Sequence, residues 1–184
     1  AFAVRATPRH YVTPLGASVF PYDTPARATA SLAAALAACS AGDTLWLAAG
    51  TYAPVTLEKS VTVLGGWSQD FGIRLPATQP SVVQGTAAGA ALTITGATCA
   101  PVLDGLLLRG GYGEPIAPPE LGSLVAGGGI LVVDAAPVLR NCILEGNSAG
   151  TASSPGAGGG GFFWRARATL ERCQVRNNRA AQGA

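Results

Sequence analysis

The chain carries few groups able to do chemistry: ten acidic residues, twelve Lys plus Arg, one histidine and four cysteines. Glycoside hydrolysis needs two carboxyls about 5–9.5 Å apart, and a calcium site needs about six to eight oxygen ligands. The acids here are scattered, with no Asp-Asp and no Asp-x-Asp. Asp104 and Asp134 fall near strand ends but at different places in the repeat described below, and they are read as residues that bond turn amides. His10 has no Ser or Cys neighbour in sequence, so a nucleophile–base triad is not expected. Cys39, Cys99, Cys142 and Cys173 form no C-x-x-C pair and none adjoins His10, which argues against zinc or haem. The glycine runs 127–129 and 158–161 lack the Gly-Lys ending of a phosphate loop. The expectation is therefore no catalytic residue, no cofactor and no metal.

Two groups of residues remain as contact candidates. Trp67, Phe71, Tyr112, Phe162, Phe163 and Trp164 lie in or beside loops. Aromatics there stack on sugars, anchor a protein interface, or pack the loops against the body. Arg165, Arg167, Arg172, Arg176 and Arg179 crowd the last stretch. Such a row can meet an acidic glycan, nucleic acid or an adjoining subunit. It can equally be an outward polar face, because Arg165-Ala166-Arg167 alternates with the period of a strand. A formal net charge of +2 excludes a strongly basic nucleic-acid binder, and nucleic acid is not expected as a partner. Trp67, Phe71, Tyr112, Phe162, Trp164, Arg165, Arg167 and Arg176 are the candidate interface or glycan contacts.

These residues sit in a repeat. At an offset of 31, Gly127-Gly128-Gly129 aligns with Gly158-Gly159-Gly160, Leu139 with Leu170, Cys142 with Cys173, Leu144 with Val175, Asn147 with Asn178 and Ala149 with Ala180. At 36, Ala100-Pro101-Val102-Leu103 aligns with Ala136-Pro137-Val138-Leu139. At 45, Val61–Trp67 aligns with Leu106–Tyr112, which sets Trp67 on Tyr112. Each unit holds apolar runs of three to five residues closed by Gly, Asn or Pro, too short for helices. Units that cannot bury their apolar face alone must stack, and a parallel β-helix satisfies this. Leu103/Leu139/Leu170 and Leu108/Leu144/Val175 become inward ladders, spaced as neighbouring strands are. Asn147 and Asn178 are expected at turns, with positive φ and stacked amides. Cys142 and Cys173 are expected as stacked, reduced thiols. Glu145 opposite Arg176 and Arg140 opposite Glu171 read as exterior ion pairs, each contributing less than about 1 kcal/mol.

The N-terminal part differs. Segment 24–42 reads as one capping helix, Pro25–Ser40, with Thr24 as N-cap, Pro25 at the first helical position and Gly42 just past the end. Leu32, Leu36 and Cys39 form its apolar stripe, which would cover the first coil. Arg9–Thr13 reads as a strand joining that coil. Residues 43–184 then form the coils, with long loops at 67–80, 112–126 and 148–157, all within a single domain 1–184. The longest apolar run, Leu32 to Cys39, is eight residues, far short of the ~18 of a membrane span. Residue 1 is Ala, which suits a processed chain or a fragment. No helix or charged strand closes the last coil, so a protein partner or further coils are expected there, the chain being either the start of a longer solenoid or a subunit of an assembly.

Ala41-Gly42-Asp43-Thr44-Leu45-Trp46-Leu47-Ala48-Ala49-Gly50-Thr51-Tyr52, after the Ala-rich helix, resembles the start of bacterial right-handed parallel β-helix proteins of the pectin-lyase-like superfamily. The later units pair Gly127-Gly128-Gly129-Ile130 with Leu144-Glu145-Gly146-Asn147, and Gly158–Phe162 with Val175-Arg176-Asn177-Asn178. They resemble repeats of polymorphic outer-membrane proteins. The resemblance implies an all-β fold, a right-handed parallel β-helix with one N-terminal capping helix. It also implies a secreted, cell-surface or periplasmic location. Members include lyases, glycosidases, adhesins and structural surface proteins. The absent carboxylate cluster favours a non-catalytic scaffold of a surface assembly. A fragment of a polysaccharide lyase or glycosidase, or a carbohydrate-binding adhesin with a glycan partner, is the alternative.

Overall fold

A computed structural model describes residues 7–151 and 153–181. Among the described residues the chain is all-β apart from one short helix and one 3-10 turn. Its strands build three main sheets, every pairing in them parallel. The first sheet runs Arg9–Val12, Thr44–Ala48, Thr62–Trp67, Val102–Asp104, Val138–Arg140, Thr169–Glu171. The second runs Gly50–Tyr52, Ser81–Gln84, Leu106–Arg109, Ile143–Glu145, Gln174–Arg176. The third runs Val55–Leu57, Leu92–Thr95, Ile130–Val133, Gly161–Trp164. From Thr44 onward the chain visits first, second and third sheet in turn, so each pass adds one rung to each.

Alternation within these short strands decides what is buried. In the first sheet Leu45, Val63, Leu103 and Leu139 share one register position and are buried. Tyr52, Val83, Leu108 and Leu144 do the same in the second sheet, and Leu57, Ile94 and Val132 in the third. All belong to one core cluster. Each fully buried Leu or Ile contributes about 1.5–3 kcal/mol. The expected ladders at offsets 31 and 36 are thus the observed ones.

The offset of 45 is not. Thr62, Val63 and Leu64 pair with Val102, Leu103 and Asp104, an offset of 40, while Leu106–Arg109 pairs with Ser81–Gln84. Gly65-Gly66 and Gly110-Gly111 end apolar runs in different sheets, and each pair is crowded, Gly65, Gly66 and Gly111 by other backbone and Gly110 by the Gln84 side chain, with Gly66 and Gly110 also at positive φ. A Cβ on Gly65 would meet the carbonyl oxygen of Gly105 at 2.6 Å, and one on Gly111 the amide of Ala91 at 2.7 Å. Similar crowding at two different corners produced the false alignment. Trp67 therefore lies opposite Ala48, past a β-bulge, and does not align with Tyr112.

The N-terminal helix is shorter than expected. Pro25–Arg27 is a 3-10 turn, and Leu32–Ala38 is the only α-helix among the described residues. Between them Ala28 and Thr29 run beside the first strand, with the Thr29 amide donating to the Tyr11 carbonyl and the Thr13 amide donating to the Thr29 carbonyl. Those ladder bonds win over continued helix. Ser31 is the N-cap, its Oγ accepting from the Ala34 amide at 3.1 Å. Leu32, Ala35 and Leu36 are buried in the main core. At the other helix end Lys59 Nζ donates to the carbonyls of Leu36, Ala37 and Cys39 at 3.1, 3.2 and 2.8 Å. A cation there suits the negative end of the helix dipole.

The long loops hold small sheets of their own. Glu114–Ile116 pairs antiparallel with Leu124–Ala126, which pairs parallel with Gly156–Ala157. Ser148–Ala149 pairs with Arg179–Ala180.

Candidate functional site

The last rung differs from all others. Phe163, Leu170 and Val175 continue the three inward ladders, opposite Val132, Leu139 and Leu144. They are 37%, 43% and 58% exposed, whereas Leu139 and Leu144 are at most 1% exposed. Among the described residues the three strands bearing them pair on one side only. Three ladders of core side chains and three rows of peptide groups therefore end on one surface.

The turn that carries this end is built by asparagine and glycine. Asn147 Oδ1 accepts from the Gly111 amide at 3.1 Å and its Nδ2 donates to the Leu108 carbonyl at 3.0 Å. One rung on, Asn178 Oδ1 accepts from the Asn147 amide at 3.0 Å and from Asn147 Nδ2 at 2.9 Å. Asn178 Nδ2 donates to the Leu144 carbonyl at 2.8 Å. The expected amide stack is present. The positive φ is not at these asparagines but one residue earlier, at Gly110, Gly146 and Asn177. The side-chain amide does the bracing while its neighbour makes the corner. Gly129 and Gly160 follow from this: a Cβ there would meet the Nδ2 of Asn147 at 2.7 Å or of Asn178 at 3.0 Å.

The arginine row is largely committed. Arg176 Nε donates to Glu145 Oε2 at 2.6 Å, Arg140 Nε to Glu171 Oε2 at 2.8 Å and Arg165 Nη2 to Asp134 Oδ2 at 2.6 Å. The two exterior pairs expected from the repeat are thus formed. Arg167 is exposed. At the corner between first and second sheets, Asp104 accepts from Arg74 Nη2 at 2.7 Å and Asn141 Nδ2 at 3.0 Å, and Asn141 Oδ1 accepts from Arg172 Nε at 2.9 Å. Burial pushes the Asp104 carboxyl up, but the Arg74 and Asn141 hydrogen bonds outweigh it and hold it below the usual range. A groove of about 580 Å³ runs along this corner. It holds one carboxylate among arginines and amides, an ion-pair network without a second acid for general acid–base work.

The aromatics separate into packed and open. Trp67 stacks on Trp46 with centroids 3.7 Å apart and planes 8° off parallel. Phe71, in the left-handed region at φ 59°, is buried edge-on against Tyr11 at 5.0 Å. Arg9 lies 5.0 Å from the Trp46 ring centre. These rings pin the 67–80 loop to the outer face of the first sheet. Phe162 is half-buried against Ala90, Ala126 and Leu131, and Trp164 is half-buried opposite Val133. Tyr112 stays partly exposed.

The cysteines are free thiols. Cys142 Sγ donates to the carbonyls of Leu103 and Arg140, and Cys173 Sγ to those of Leu139 and Glu171. The neighbouring Cys173 thiol and then burial push the Cys142 thiol well up, while Cys142 lowers that of Cys173 against the opposing effect of burial. Near the chain's start, Cys39, His10 and Asp43 meet with their ligand atoms within 4.8 Å of one another, all buried. The 28 residues between His10 and Cys39 hide this contact from the sequence; only the parallel pairing of Arg9–Val12 with Thr44–Ala48 creates it. Burial, then the Asp43 charge, pushes the Cys39 thiol up to about 12. Among the described residues no helix is long and apolar enough to cross a membrane.

No protein-family model, curated protein or solved structure matches the chain.

Proposed function

We propose that the chain is a right-handed parallel β-helix acting as a non-catalytic structural subunit of a secreted or cell-envelope assembly. One observation carries the reading: the exposed rung of Phe163, Leu170 and Val175, where buried ladders and strand edges surface together. An apolar strand edge left open pairs with other chains, and repeat proteins need covered ends for solubility. The occupant that satisfies both demands is further β-structure, adding peptide hydrogen bonds and apolar side chains at strand spacing. The resemblance of the repeats to outer-membrane protein repeats supports the location. The packing of Phe71 on Tyr11 and of half-buried Trp67 on Trp46 favours a structural part for these two rings.

Native mass spectrometry of the protein from its own source tests this. The expected result is a non-covalent assembly that separates into subunits on denaturation, with the amides of residues 161–176 protected from exchange while it is intact. A single polypeptide of any length that stays monomeric overturns the subunit reading.

A further inference from the structure

His10, Cys39 and Asp43 come from three pieces of backbone: the first strand, the residue ending the Leu32–Ala38 helix, and the turn before Thr44–Ala48. They are 6%, 4% and 6% exposed. Two of them are held by backbone. His10 Nδ1 lies 2.8 Å from the Pro21 carbonyl oxygen, which can only accept, so Nδ1 carries the hydrogen. In the neutral ring Nε2 then presents its lone pair, and it faces Asp43 Oδ2 at 3.2 Å. The same Oδ2 accepts from the Ser40 amide at 2.8 Å. Two electron-pair donors aimed at each other in a dry place need either a shared proton or a metal cation between them. Cys39 Sγ supplies a third donor at the same spot, and Lys59 fixes its backbone through the Cys39 carbonyl.

We propose that His10 Nε2, Cys39 Sγ and Asp43 Oδ2 bind one Zn²⁺, which clips the first strand to the end of the capping helix. A tetrahedral zinc with bonds of about 2.0–2.3 Å sets its ligand atoms roughly 3.3–3.7 Å apart. The nitrogen–oxygen separation of 3.2 Å already fits, and the sulfur lies within 4.8 Å of both, a gap that a side-chain torsion can close. The imidazole, thiolate and carboxylate set suits zinc. The carbonyl behind the histidine and the amide behind the aspartate are the outer partners that orient metal ligands. Binding converts the Cys39 thiol to thiolate and releases its proton to solvent, and thiolate plus carboxylate then balance the metal's two charges.

Because the cluster is buried, the metal is offered during refolding. The full chain is unfolded with reductant and chelator, then refolded with one equivalent of Co²⁺ or Zn²⁺. The expected result is a near-ultraviolet sulfur-to-cobalt charge-transfer band, bleached by Zn²⁺, and a melting temperature raised by roughly 5 °C or more with zinc. Cys39→Ala, a small apolar replacement in an apolar setting, should fold, lose the band and lose the shift; Asp43→Asn should weaken both. Wild-type protein with neither band nor shift, or a band that survives in Cys39→Ala, overturns the site. The cation between His10 and Asp43 is then a proton.

Discussion

Asn147 holds three backbone or side-chain partners while only 1% exposed. Asn147→Ala strips partners from the Gly111 amide and the Leu108 carbonyl inside the protein. A loss of about 2–3 kcal/mol in urea-unfolding free energy is expected, against about 1 kcal/mol for the more open Asn178→Ala. Asp104 shows a pH signature instead. Its folded carboxyl sits below the ordinary value of 3.8, so the unfolded chain binds the proton first as pH falls. The stabilisation is full above the unfolded value and fades as pH drops through the folded one. Asp104→Asn should therefore lower the melting temperature at pH 7, and the difference should shrink as the pH falls below the ordinary value of 3.8. A difference that does not shrink would mean that Arg74 gains nothing from the charge.

At the level of strands and helix, place along the ladder decides consequence. Leu144 and Val175 share one register position, yet one is 1% and the other 58% exposed. Leu144→Asp should leave no cooperative thermal transition, since burying a lone carboxylate costs several kcal/mol, roughly the stability of a small domain. Val175→Asp should melt within a few degrees of the parent. The ladders were legible because the offset of 31 carries Leu139, Cys142 and Asn147 together onto Leu170, Cys173 and Asn178, and the offset of 36 carries Ala-Pro-Val-Leu onto itself. The 45-residue offset misled because a Gly-Gly pair marks crowding of any origin. The helix was overextended because the Ala-rich run says nothing of the Thr29 ladder bonds, which a sequence displays only once Tyr11 and Thr13 are placed beside it. The His10, Cys39 and Asp43 meeting was invisible for the same reason: no local pattern encodes a contact made by parallel pairing across a long connection.

For the molecule as a whole, each strand of the three parallel sheets pairs only with its immediate neighbours in the stack. Unfolding should begin where a rung has one neighbour and travel inward. The connections between second and third sheets obey no such regularity. They run from two residues, between Tyr52 and Val55, to the long excursions that precede Ile130 and Gly161. Yet Ile130 and Gly161 land in register, because Asn147 and Asn178 bracket the corner on either side of the excursion. The rise per rung is thus blind to how much chain departs between two fixed points. Loop-closure entropy grows only by about 0.6 kcal/mol per doubling of length. Gly122, at φ 70° with open space around it, marks a tip where a foreign segment can enter. A ten-residue insertion after it should leave the melting temperature within about 2 °C. The body behaves as a rack that holds its shape whatever is hung from it, and one flank can diversify freely while the core stays unchanged.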